Sequence, residues 1–342
     1  MRSRTWSGAR RQATESIPGS SARPAGRSRR LACGLALAVA AVAAGCGPTP
    51  GGPGTPEACR GAGPVHRDLR YASDAGVAAG AQSLDLYLPA GAGLAGCGPV
   101  PVVVYVHGGG FQVGDKANQV AHKVALFTGE GWAFASVNYR LVGDPAAGPD
   151  GAVYPRAERD VARAVGHLRA HAADYGLDPA NVMLLGHSAG AFLVALVGTD
   201  AGFLDAADPG AGLDAVTCVA PIDTSYDIPA NVAAGGPGAA MFTAAVGTDP
   251  AVWRAASPTH VVAGLDDDAA SDLPGFHVVT RGTAARVAEA QAFGAAVADA
   301  GGDAEVVVTR GLDHEAVNDA IGAPGDSAVT PGLMAFYRAC HR

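Results

Sequence analysis

The sequence is poor in several things, and each scarcity closes off a class of protein. Only 16% of its 342 residues are charged while 49% are hydrophobic, which excludes an unfolded chain and leaves ample material for a core. Basic charge is scarcest where nucleic acid would need it. The first 45 residues hold eight arginines and one acid, Glu15; the rest carries 16 basic against 31 acidic side chains, a net −15. Phosphate binding requires a basic face, so this acidic body argues against a nucleic-acid partner. The apolar run Leu31–Ala44 has only 14 residues, too short to cross a bilayer. None of the six cysteines forms a C-x-x-C pair, which argues against a zinc site. Internal repeats are also missing, so a solenoid or propeller is not indicated.

What is present begins with an export signal over residues 1–46. Arg27, Arg29 and Arg30 precede the Leu31–Ala44 run, and small residues follow it. Ala43-Ala44-Gly45-Cys46 resembles a bacterial lipobox, whose cysteine is lipidated and becomes the mature N-terminus; Ser28-Arg29-Arg30 hints at the twin-arginine route. The expected location is the outer face of the cell membrane, held by lipid on Cys46, or secretion if the lipobox is not used. Export places Cys59, Cys97, Cys218 and Cys340 in an oxidising compartment. Four cysteines allow three pairings, and Cys59–Cys97 with Cys218–Cys340 is the favoured one, each bridge tying a segment before one strand to another strand or chain end.

Residues 47–64 are rich in Gly, Pro and Thr and read as a flexible tether, so the folded domain is expected over 65–342. Val65–Ala72 and Ser83–Leu88 alternate and predict an antiparallel pair at a sheet edge. Val100–Val106 is continuously apolar, as in a strand buried on both faces. Trp132–Tyr139, Asn181–Leu185, Ala215–Pro221, Phe276–Thr280 and Ala304–Thr309 continue the strand series. Helical spacing falls between them at Arg156–Tyr175, Ala191–Val197 and Ala284–Ala300, and Pro331 opens a last helix ending at Cys340. This alternation predicts an α/β fold with a mostly parallel central sheet and helices on both faces. Residues 223–275 read as irregular with short helices at Ala239–Val246 and Ala251–Ala255, a small candidate lid.

Two stretches carry chemistry. Gly186-His187-Ser188-Ala189-Gly190 lies between a strand and a helix, the layout of a nucleophile elbow. In a chain with 48 glycines the bare G-x-S-x-G pattern arises by chance roughly 0.3 times, so its weight comes from that context. The second stretch, His107-Gly108-Gly109-Gly110-Phe111, follows the Val100–Val106 strand. Consecutive glycines there let backbone N–H groups of Gly109 and Gly110 join that of Ala189 around a developing oxyanion.

Together with Asn138-Tyr139-Arg140 and the late Asp313-His314-Glu315, these motifs resemble the α/β-hydrolase serine esterases. The nearest resemblance is to the acetyl-esterase, feruloyl-esterase and kynurenine-formamidase-like group, over about residues 65–340. The resemblance implies a serine hydrolase of short acyl esters, with a small-molecule ester as partner and neither metal nor organic cofactor. In that fold the order is nucleophile, acid, histidine, which makes Ser188 the nucleophile and His314 the base. His187 is committed within the elbow, and His107 braces the glycine loop. The other histidines read as surface or packing residues, as does Asp160 on the polar face of its helix; Asp115-Lys116 is expected to hold the glycine loop's shape, and Asp266-Asp267-Asp268 to be a solvated turn.

The expected acid is absent. The resemblance places it in a Gly-Thr-Ala-Asp pattern after Phe276–Thr280, and this chain reads Gly282-Thr283-Ala284-Ala285. Three arrangements fit Ala285. A carboxylate from another loop serves His314: Asp223 or Asp227 just past Ala215–Pro221, then Glu289, with Asp313 disfavoured as a sequence neighbour. Alternatively a Ser–His dyad works slowly, or the fold has become a non-catalytic surface binding protein. A peptidase of similar core is disfavoured by the absence of a long accessory domain.

Overall fold

A computed structural model describes residues 55–148 and 153–341. The expected export signal, the expected lipobox with Cys46 and residues 47–54 of the expected tether lie outside the described residues.

Among those residues eight strands form one sheet. They are β1 (Ala62–Arg70), β2 (Ser83–Pro89), β3 (Val100–Val106), β4 (Ala133–Val137), β5 (Leu177–His187), β6 (Cys218–Ile222), β7 (Gly275–Thr280) and β8 (Ala304–Val308). Their spatial order is β1-β2-β4-β3-β5-β6-β7-β8. β1 pairs antiparallel with β2, and β2 antiparallel with β4; all other pairs are parallel. The edge hairpin and parallel body are those the hydrophobic pattern predicts.

The period of two along each strand divides the core between two faces. Val102, Val104 and Val106 of β3 join one apolar cluster, packed under the helices Arg156–Ala170, Ala189–Val197 and Ala284–Asp299. Val103 and Tyr105 join a second, covered by Ala121–Gly129 and Thr330–Cys340. Each fully buried aliphatic side chain contributes roughly 1.5–3 kcal/mol over its exposed state, so a doubly covered β3 is a firm support for the loop that leaves it.

Two stretches differ from expectation. A short 3-10 turn at Glu57–Cys59 and β1 from Ala62 precede Val65, because Cys59 is bridged to Cys97. Cys218–Cys340 is the second bridge, so the favoured pairing is formed. In the 223–275 segment the two expected short helices are present as Gly236–Val246 and Pro250–Ala255, and three more, Ile228–Ala234, Pro258–Val262 and Asp267–Ala270, stand where irregular backbone is expected. Asp227, Asp249 and Asp266 cap three of them, each side chain accepting a backbone N–H of the first turn. Capping replaces amphipathic period as the helix signal in this Ala- and Gly-rich stretch.

Candidate active site

Parallel pairing brings the ends of β3, β5, β6 and β7 to one edge. Val106 pairs with Gly186, His187 with Ile222, and Ile222 with Val279. The glycine loop, Ser188 and Asp223 therefore leave three adjacent strands side by side, at the carboxyl ends where such sheets bind ligands.

Ser188 sits at φ 55° and ψ −118°, outside the regions ordinary residues prefer. Its N–H donates to the Ile222 carbonyl (3.0 Å), tying the elbow to the end of β6. The turn closes so tightly that a Cβ on Gly186 would stand 2.3 Å from the Gly190 carbonyl oxygen, and one on Gly190 2.1 Å from that of Val106. Ala189 opens the following helix, so its N–H belongs to the first turn, which has no intrahelical acceptor.

In the glycine loop, a Cβ on Gly109 (φ 119°) would lie 1.9 Å from the Val113 carbonyl oxygen. Among the described residues no backbone hydrogen bond engages the N–H of Gly109 or Gly110, whereas the Gly109 carbonyl accepts from Gln112 and Val113. His107 braces the loop as expected. Its Nδ1–H donates to the Gly108 carbonyl (2.7 Å), and its ring stacks on Tyr139, whose hydroxyl donates to the His107 carbonyl (3.1 Å). Asn138 accepts from the Lys116 N–H (2.6 Å) and donates to Asp115 (3.0 Å), so Asp115-Lys116 does hold the loop's base.

His314 reaches both partners. Its Nε2 accepts from the Ser188 hydroxyl at 2.8 Å, and its Nδ1–H donates to Asp223 Oδ2 at 2.6 Å. His187 lies beneath it, Nε2–H donating to the His314 carbonyl (2.7 Å) with the rings 4.7 Å apart. Burial pushes His187 down to about 4, so at neutral pH it is an uncharged support.

Of the four carboxylates considered for the acid, Asp223 is the one that bonds to His314. Asp227 caps the helix Ile228–Ala234. Glu289 Oε1 accepts from the Ser225 hydroxyl, the Tyr226 and Asp227 N–H groups and Asn231, and so braces the loop that carries Asp223. Asp313 accepts from the N–H groups of Glu315 and Ala316. Ala285 is exposed in the first turn of Ala284–Asp299. Of the three arrangements, the one with a carboxylate from another loop beside His314 is the geometry present.

Sequence reading missed two residues. Arg281 Nε donates to Asp223 Oδ2 (2.6 Å) and Arg286 Nε to Oδ1 (2.7 Å), while Arg286 Nη2 reaches the Asp223 carbonyl (2.9 Å). Burial pushes the Asp223 carboxyl upward, but the His314 hydrogen bond and the Arg286 charge outweigh it and hold the group at about 2. The available signal was the pair of arginines flanking the vacant Ala285. Asp160 needs a second correction. It is fully buried, not on a polar face, and pairs with Arg140 of the Asn-Tyr-Arg stretch at 2.7 Å.

Known proteins share parts of this sequence and this fold. Residues 84–226 match the BD-FAE family model. The fold is similar to esterase B from Lactobacillus rhamnosis, with a TM-score of 0.64 and 22% identity over 81% of this chain and 85% of that one. The chain has the α/β-hydrolase fold. At the sequence level the chain is 36% identical over 97 residues to lipase 2 of Moraxella sp., covering 28% of this chain and 20% of the lipase. It is also 36% identical over 102 residues to a kynurenine formamidase of Aspergillus versicolor, covering 27% of this chain and 33% of that one. The matched stretch thus spans a third or less of these relatives. Among the described residues, no group of three or more His, Cys, Asp or Glu side chains is placed to hold a metal ion.

Proposed function

We propose that this α/β-hydrolase cleaves short-chain carboxylic esters through an acyl-enzyme on Ser188, with His314 as base and Asp223 as acid. The observation that carries this reading is the unbroken relay from the Ser188 hydroxyl to His314 to Asp223, with bonds of 2.8 and 2.6 Å. Asp223 fixes the tautomer in which Nε2 is free to accept a proton. His314 takes the Ser188 proton as Oγ attacks the ester carbonyl, and the N–H groups of Gly109, Gly110 and Ala189 receive the oxyanion. The tetrahedral intermediate collapses as His314 hands its proton to the leaving alcohol. Water, deprotonated by the same imidazole, then releases the acid and restores Ser188. The Asp223 carboxylate bonded to His314 supports the catalytic reading over the non-catalytic binder, whose motive is the missing acid at Ala285.

The walls beside the glycine loop support small acyl groups. Met241 Sδ lies 3.5 Å from where a Gly110 Cβ would stand, and Phe242 packs against both Phe111 and Phe192. Truncating Met241 should open this wall. Met241→Ala is expected to raise kcat/KM on p-nitrophenyl octanoate relative to p-nitrophenyl acetate by about tenfold, the value of a few methylenes in an apolar pocket. The same assay tests the function itself. Acetate and butyrate esters should be hydrolysed far above the uncatalysed rate, and a rate indistinguishable from buffer would sink the esterase reading.

We also propose export with lipid attachment at Cys46, a reading supported by the basic-apolar leader and by two disulfides that suit an oxidising compartment. Cells expressing the full chain should carry it in the membrane fraction and lose it to the soluble fraction on Cys46→Ser; unchanged partitioning would refute the anchor.

A further inference from the structure

We propose that Arg281 and Arg286 are positioning residues for the reaction, a two-armed clamp that holds Asp223 in the geometry His314 requires. The inference rests on the esterase reading above and concerns how its acid is supported at a strand end that local sequence does not mark.

Asp223 has two unusual features at once. It is a non-glycine residue at φ 55°, and its side chain is fully buried. A left-handed aspartate persists only where its surroundings fix it, and here four bonds do so. The Asp223 N–H donates to the Val279 carbonyl (2.7 Å). Arg286 grips the residue twice, Nε on Oδ1 and Nη2 on the main-chain carbonyl, so one planar fork spans side chain and backbone and locks the torsions between them. Arg281 Nε occupies Oδ2 beside the His314 Nδ1–H, which leaves that oxygen one orientation.

Strand pairing explains the source of both arms. Ile222 pairs with Val279, so the residues leaving β7 run beside Asp223. Arg281 lies one residue beyond β7 and Arg286 in the first turn of Ala284–Asp299. The segment that the resemblance expects to supply the acid supplies instead two cations that hold an acid from the next strand. Neither arginine contacts Ser188, and both act through Asp223.

The test is a double-mutant cycle on p-nitrophenyl acetate together with a proton NMR measurement. Arg286→Ala should lower kcat by about 10²-fold with KM unchanged, the scale of an ångström of misplacement in a catalytic group. Arg286→Lys, which keeps the charge but cannot span both acceptors, should recover part of the loss. In an Asp223→Asn background, Arg286→Ala should cost less than about threefold, because an effect routed through one residue is not additive with its removal. Equal losses in both backgrounds, or none in the parent, would overturn the clamp. The low-field proton of His314 Nδ1–H bonded to Asp223 gives a readout that needs no turnover. It should be present in the parent and shifted or lost in Arg286→Ala at a temperature where thermal unfolding shows that variant folded. An unchanged signal refutes the clamp even if the protein hydrolyses nothing, whereas an inactive parent with the expected signal change refutes only the esterase reading.

Discussion

Ser188→Ala should lower kcat on p-nitrophenyl acetate by on the order of 10⁶-fold, as far as removing nucleophile or base lowers it where the two act as a unit. The size follows from what the serine does. It is the atom to be acylated, and its hydroxyl is already bonded to His314 Nε2 at 2.8 Å in a turn held open by two glycines. Alanine fits the same backbone, leaving the glycine loop and the Ala189 N–H in place. A residual rate of about 10³–10⁴ over water is then expected from oxyanion binding alone. His314→Ala should match it, and the double variant should be no worse than either single one. Steady-state rates of the three variants check this; a Ser188→Ala enzyme within tenfold of the parent would mean another nucleophile.

Asp223→Ala should cost about 10⁴-fold in kcat, the scale of losing the group that orients the histidine. Without it Nδ1 has no acceptor, the imidazole samples both tautomers, and Arg281 and Arg286 face a void instead of a carboxylate. Ala285→Asp in the parent should give no gain, since His314 Nδ1 already has its partner. A large gain from Ala285→Asp, or an Asp223→Ala enzyme close to the parent, would show that Asp223 does not serve as the acid. Asp223 also links folding to pH. Its folded carboxyl, at about 2, lies below its ordinary value of 3.8, so its ion pairs stabilise the fold fully above the ordinary value, and this contribution is lost as pH falls toward 2. The thermal midpoint should therefore drop over that interval in the parent and drop less in Asp223→Asn.

The parts of the site that local sequence encodes were legible; the parts that depend on strand neighbours were legible only as alternatives. Ser188 and the glycine loop are each a strand, a turn and flanking glycines, contained within a dozen residues. His314 was found by its place in a loop after the last strand. The acid has no such signature, because its one requirement is to reach Nδ1, and 91 residues separate the two partners. Only the pairing of β6 with β7 brings Asp223, Arg281 and Arg286 together, and that pairing is a property of the sheet. Asp160 is illegible for a similar reason: its partner Arg140 lies three residues past β4, so a helix face that looks polar is buried on an ion pair. Of the helices of 223–275, Gly236–Val246 and Pro250–Ala255 are legible; Ala and Gly blur the amphipathic period of the others, although Asp227 and Ser257, each with a proline one or two residues on, mark two of their starts.

The most direct test of the central claim is labelling of the intact protein with a fluorophosphonate, followed by mass spectrometry and peptide mapping. A Ser188 activated by His314 and Asp223 predicts one phosphonyl group per chain, located on Ser188 and absent after Ser188→Ala. No adduct, or an adduct on another residue, would contradict it.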